Sequence, residues 1–494
     1  MRRTQQPPCE WPVRFLSGVD CFAVVLIIVP SQQQGASFGR SDARHWIGRK
    51  RFPGGQREPQ RGSGRKRPNS DEITVSVNHS TPVCLHYGSG RRLSCEIAPG
   101  RLIAWHEAPA PLPDPAETVR KSLQSPLEFP PLTDVFYPGD RIVLALDRST
   151  PEAATVVAEV WRVCEQRSIR PEDVCVLQPA ALRGGPLPDP RDQLADGIAQ
   201  AVRWKVHDPA DRAGQVYLAS TSLGERVYLA REIVDADVVV LIGAIAFDSV
   251  LGYRGTGSVI YPGLSTVDAM RKAHGQGHRE LGPDDIRPLR QLIDEITWLL
   301  GVQFAIQVIA GDGPRASHVL AGAVDAVYRR GQELLKAAWH VQVHERPDVV
   351  VLAVDADAGG HGWEQVGAAL QTARNLVAAG GKIVVLSGLQ DELDDGLQIV
   401  RDAEEPVEAL KPLRLRTPPD LIPATQLIQA VDWAKVYFLS RLAPDVVEDL
   451  FMTPLDDVAE VHRLLEGDAT CALLAAAQHT YGSVRERTGT SGPA

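Results

Sequence analysis

Five short runs of consecutive apolar, largely β-branched residues constrain the fold most: RIVLALD (141–147), DVCVLQPA (173–180), DADVVVLIG (235–243), RPDVVVLAVD (346–355) and GGKIVVLSG (380–388). A strand with one face in water alternates apolar and polar side chains. These runs leave no polar face, so both faces must be covered. Segments of helical period lie between them, at 151–167, 191–204, 286–301, 316–339 and 362–379. Covered strands alternating with amphipathic helices predict an α/β fold of two domains, with parallel or mixed sheets flanked by helices and a cleft between the domains. The stretch 72–140 differs. Its short β-like pieces and Pro-rich connector (107–117) suggest a hairpin layer leading into the α/β body.

With 494 residues, roughly 150 per domain allows about three units. The expected units are a basic low-complexity extension over 1–71, read as disordered, a first α/β domain over 72–275 and a second over 276–494. The border is placed in the Gly-containing stretch 271–285. Residues 1–70 hold 13 Lys/Arg and 4 Asp/Glu, whereas the remainder holds 39 and 58, a net of −19. So acidic a body disfavours nucleic acid and anionic membranes as partners. The one apolar run of the extension, CFAVVLIIVP (21–30), has nine apolar residues before its proline, short of the ~20 that cross a bilayer. Preceded by Arg2, Arg3 and Arg14, it is alternatively a signal-peptide core. Seven scattered cysteines without a CxxC suggest neither a disulfide framework nor a zinc site; a reducing, cytoplasmic setting is expected.

Ligands of open α/β sheets bind beyond the carboxyl ends of the strands. That singles out Asp147–Thr150, 180–185 and 244–257. In DRSTP (147–151) a strand-end carboxylate precedes a Ser/Thr and a proline, which also reads as a helix cap with Pro at the first helical position. WKVHDP (204–209) puts His207 beside Asp208, and a loop histidine there is either an acid/base or incidental. GYRGTGSVIYPG (252–263) is Gly-rich but matches no phosphate-loop pattern. The spaced pairs His274/His278 and His340/His344 lack a HExxH partner set, so no metal site is assigned. No GxSxG, kinase set or Cys-His pattern occurs.

The order of these landmarks resembles the nickel-pincer lactate racemase (LarA-like) family over roughly residues 83–450. The resemblance is carried by HYGSG (86–90), PLEFPPLTDVFYPGDRIVLALDRSTP (126–151), HDP (207–209), VYLAREIVDADVVVLIG (227–243), GYRGTGSVIYPG, LLGVQFAIQVIAGDG (299–313) and VAAGGKIVVLSG (377–388). It implies racemisation of a 2-hydroxy acid. A lysine-tethered nickel-pincer nucleotide accepts hydride, and two histidines handle the hydroxyl proton from opposite faces.

Carried over singly, the family's residues imply catalytic roles for His207 and Asp147. They imply cofactor or ligand contacts for Thr150, Arg183, Gly252, Tyr253 and Gly255. Several positions depart from the family. Thr150 stands at the motif's arginine, with Arg148 displaced. Leu182 stands at the first catalytic histidine, with Arg183 next to it. Arg231-Glu232 stand near the tethering lysine, Asp248 near the nickel-binding histidine, and Glu364 and Ala368 near a Tyr-xxx-Lys of the second domain. No histidine lies between Asp147 and His207 or between His207 and His274, and no lysine between Lys205 and Lys272. Arginine cannot replace the lysine as a covalent anchor, because its guanidinium stays protonated. The expectation is an impaired or altered isomerase on a hydroxy or sugar acid. The alternative is a non-catalytic paralogue that binds a small hydroxy-acid-like ligand or a partner in the cleft. His207→Ala is expected to abolish any activity with little change in melting temperature.

Overall fold

The computed structural model describes residues 80–180, 187–255, 257–275 and 282–485. All of them belong to one unit, Val75–Ala494; the expected extension over 1–71 lies outside the described residues. Two six-stranded sheets form its framework. The first has the order Ala316–Ala323, Phe304–Ala310, Val238–Ala244, Ile142–Leu146, Val174–Pro179, Arg203–His207. Every pair in it is parallel except the first, which is antiparallel. The second has the order Thr453–Pro454, Lys435–Leu439, Lys382–Leu386, Val349–Ala353, Cys471–Leu474, Leu102–His106. All of its pairs are parallel.

The continuous apolar runs are the inner strands, as their composition requires. Ile142–Leu146 and Val349–Ala353 are buried at every position. Ile142 and Leu144 face one apolar cluster, with Val156 and Val160 of helix Ala153–Gln166, while Val143 and Ala145 face another, with Ile293 and Ile296 of helix Pro288–Leu299. Each such Val, Leu or Ile stabilises the fold by roughly 1.5–3 kcal/mol relative to exposure. The second sheet is sandwiched likewise. Helices Trp363–Leu376 and Leu421–Trp433 cover one face. The hairpin Thr81–Tyr87/Arg91–Ile97 covers the other through Val83, Leu85, Tyr87, Leu93 and Ile97. The expected hairpin layer is therefore present.

Sheet membership corrects two expectations. The division at 275/276 does not follow the sheets, since Phe304–Ala310 and Ala316–Ala323 pair within the first sheet and Leu102–His106 within the second. The segment 316–339, read as one helix, is a strand to Ala323 and a helix only over Val324–Trp339. Pairing with seven residues of the neighbouring strand overrides the weak local preference of ASHVLAGA. Likewise, helix occupies only Asp196–Ala201 of the expected 191–204. No helix among the described residues is long and apolar enough to cross a membrane.

Candidate functional site

The carboxyl ends of the first sheet's strands open onto a cavity of about 380 Å³ whose far wall comes from the second sheet's loops. Asp147 follows strand Ile142–Leu146, its N–H held by the Ile242 carbonyl at 2.8 Å. Pro179 and Ala180 end the next strand, and Ala244–Asp248 leave Val238–Ala244. Opposite them lie Asp357, beyond strand Val349–Ala353, Glu364, in the first turn of helix Trp363–Leu376, and His479. A second cavity of about 270 Å³ adjoins it, sharing Phe247, Asp248, Ser249, Ala368, Ile422, Gln426 and Gln478, and its lining includes several carboxamides and threonines together with Arg287 and Arg374.

Arg254 is the cation of the larger cavity's lining. It ends the short strand Gly252–Arg254, which pairs antiparallel with Ala246–Asp248. The Gly-rich segment thus opens as one strand of a β-ribbon and continues as helical turns from 257. Gly252 is required there: its φ is +75°, and a Cβ would sit 2.4 Å from the Pro283 carbonyl oxygen. The Arg254 guanidinium lies 4.0 Å from Asp147 Oδ2, and its Nε is buried without a hydrogen-bond partner among the described residues. Burial opposes its charge. The carboxylates of Asp147, Asp248, Glu364 and Asp357 outweigh that, and its pKa is raised. Arg148, behind the wall, has its pKa lowered by burial against the pull of Glu364 and Asp147.

Two histidines line the same space. His274, near the end of helix Val267–Gly275, has a buried Nδ1 without a hydrogen-bond partner among the described residues. His479 Nε2 lies 3.7 Å from Asp357 Oδ2. Burial lowers the pKa of both. Asp248 and Glu364 oppose this at His274 and Asp357 opposes it at His479, where Arg254 reinforces it.

The residues singled out from the sequence separate into two groups. Asp147 lines the larger cavity and Gly252 the smaller. His207 does neither. Its ring is buried, 3% exposed, and Nε2 lies 2.8 Å from the Ser265 carbonyl oxygen. Its assignment as a group that meets the ligand is corrected accordingly: the ring satisfies its burial by donating to backbone. Thr150 is buried and donates to the Asp147 carbonyl. It does not cap the following helix, which begins at Ala153 behind Glu152. Tyr253 is buried, its hydroxyl donating to Asp284 at 2.9 Å. Gly255 lets the chain pass Tyr328, whose ring a Cβ would meet at 2.8 Å. Leu182 and Arg183 lie outside the described residues. Asp248, Glu364 and Ala368, noted as departures, all line the larger cavity. Arg254, Asp357 and His479 were missed, and His274 was noted only in its spaced pair with His278, to which no site was assigned. Arg254 had a local signal in its place within GYRG.

Residues 87–281 match the lactate racemase N-terminal domain. The chain is lactate racemase-like. Its fold is similar to the lactate racemase apoprotein from Thermoanaerobacterium thermosaccharolyticum, with a TM-score of 0.69 at 16% identity, covering 82% of this chain and 100% of that one. It is also similar to a protein from Thermotoga maritima, with a TM-score of 0.58 at 11% identity, covering 77% of this chain and 100% of that one. No curated protein matches the chain.

In this lactate racemase-like chain no lysine lines either cavity among the described residues. Lys205 pairs with Glu232 at 2.6 Å, and neither residue lines a cavity. Lys272 pairs with Glu225. No group of three or more His, Cys, Asp or Glu arranged to hold a metal occurs among the described residues.

Proposed function

We propose that this protein binds a small carboxylate-bearing molecule in the larger cavity, without lysine-tethered nickel-pincer chemistry. The observation that carries the reading is the lining itself: among the described residues, a guanidinium with an unpartnered buried Nε, at the carboxyl ends of the strands, and no amine. The residues present do not fit the tethered cofactor. Its anchor must be a nucleophilic amine, and the imidazole that suits nickel is replaced by Asp248. Asp248 is also engaged locally, one oxygen accepting from the Val250 and Leu251 N–H groups. An arginine, in contrast, presents paired donors that match a carboxylate.

A second reading, isomerisation of the bound acid, is favoured by one observation. His274 lines the cavity with a buried ring nitrogen that has no hydrogen-bond partner among the described residues, which is what a proton-holding group needs. Losing an acid/base partner typically costs 10²–10⁴-fold in rate, so turnover through His274 alone would be slow. The reading also takes the protein as cytoplasmic and without nucleic acid as a partner. The free state of the five described cysteines and the acidic body support this.

Elemental analysis and intact mass of protein co-expressed with a pincer-cofactor pathway test the proposal. The expected result is no stoichiometric nickel and no added covalent mass. Equimolar nickel together with a covalent adduct would overturn it.

A further inference from the structure

The charges around Arg254 do not match those of a hydroxy acid. Four carboxylates line the larger cavity, Asp147, Asp248, Asp357 and Glu364, against this single arginine. Arg148 couples to Asp147 and Glu364, and Arg287, which lines the adjoining cavity, couples to Asp248. Counting both, carboxylates still outnumber cations among the described residues. A hydroxy acid adds another negative charge and offers only a neutral hydroxyl in return.

The carboxylates are not equally free. Asp357 Oδ1 accepts from the Gly359 N–H at 2.7 Å and from Gln365 at 3.1 Å, and Asp248 Oδ1 is held as described above. Among the described residues the Asp147 carboxylate makes no hydrogen bond, and its ion-pair partner is Arg254, at 4.0 Å, beyond hydrogen-bond distance. Glu364 makes no side-chain hydrogen bond to a described residue, although it lines the cavity. Both couple to Arg148 and to Arg254, so they share one neighbourhood.

Asp147 and Arg254 therefore present to the cavity a loose pair of opposite charges, with Glu364 as an additional acceptor. The complement of that pattern is a molecule carrying an ammonium one carbon away from its carboxylate. Among the described residues no group is arranged to hold a metal ion, so a divalent cation is a poorer answer to the surplus than an ammonium, which needs only acceptors.

We infer that the ligand of this cavity is an α-amino acid, its carboxylate on Arg254 and its ammonium between Asp147 and Glu364. The inference rests on the proposed binding of a small acid and narrows it.

Isothermal titration of the full chain with matched three-carbon probes tests it: D- and L-alanine, D- and L-lactate, and propionate. These share one skeleton and differ at the second carbon. One alanine enantiomer is expected to bind at least tenfold more tightly than either lactate. Glu364→Gln and Asp147→Asn should each bring that ratio down at least fivefold, with unfolding midpoints recorded to confirm that the variants fold. Because the readout is a ratio, a longer natural side chain that fills the adjoining cavity leaves the test intact. Lactate binding as tightly as alanine would overturn the inference while leaving small-acid binding standing, as would a ratio unmoved in a folded Glu364→Gln. Failure of all five probes would overturn both.

Discussion

His207→Ala separates the two roles available to this histidine. The residue ends the edge strand Arg203–His207, opposite Pro179, and is 3% exposed. Its Nε2 lies 2.8 Å from the Ser265 carbonyl, which can only accept, so Nε2 carries the hydrogen. Ser265 in turn donates from its hydroxyl to the Tyr228 carbonyl at 2.7 Å. The imidazole thus ties the sheet edge to the hairpin strand Arg226–Ala230. Alanine leaves the Ser265 carbonyl buried without its donor, a cost of about 1–3 kcal/mol. It also leaves a ring-sized void, and comparable core truncations cost about 2–5 kcal/mol. The two overlap, so a loss of roughly 3–5 kcal/mol is expected. Urea unfolding followed by tryptophan fluorescence reads it, with ligand affinity measured on the folded variant in parallel. His207→Gln keeps an N–H donor of similar reach and should recover part of the loss. Ligand affinity should change little in either variant. An unmoved unfolding midpoint with lost binding would refute the reasoning, because the ring would then be reaching the cavity.

Two other predictions follow from the framework around the site. Gly322 has φ +146°, and a Cβ there would come within 2.2 Å of the Leu127 carbonyl oxygen, so Gly322→Ala should lower stability by about 2–3 kcal/mol; an unchanged melting curve would contradict this. The pair Arg141–Asp237 holds the Asp237 carboxyl at about 2, below its ordinary 3.8. A folded-state pKa depressed in this way adds stability that is complete above about pH 4 and is lost as pH falls towards 2. Arg141→Ala should raise the Asp237 titration, followed by carboxyl NMR, and flatten the acid limb of the stability curve between pH 4 and 2. A titration still near 2 in the variant would reject the pairing as its cause.

How far the sequence revealed this molecule depended on whether a residue's environment was local. The inner strands were legible because a sheet covered on both faces admits no polar alternation, and 142–146, 174–179, 238–244, 349–353 and 382–386 all show it. Strand Ala316–Ala323 was not, because an edge strand poor in β-branched residues owes its conformation to its neighbour Phe304–Ala310. Leu102–His106 joins the second sheet beside Cys471–Leu474. No local pattern announces a partner so distant along the chain.

The site divides in the same way. Asp147 was legible as a strand-end carboxylate. His207 was legible as a landmark, yet nothing in HDP says whether a carbonyl will be waiting for the ring. Arg254, His274 and His479 come from a ribbon end, a helix end and a short turn, and only the fold brings them together. The fold itself depends on the apolar strand interiors, which the departures from the family's pattern leave untouched. The cavity's character depends on a few side chains beyond the strand ends and in the helix Trp363–Leu376, where Asp248, Glu364 and Ala368 stand. A framework held by the first set tolerates replacement of the second. An architecture similar to that of the lactate racemase apoprotein can therefore enclose a cavity lined by a different set of charged side chains.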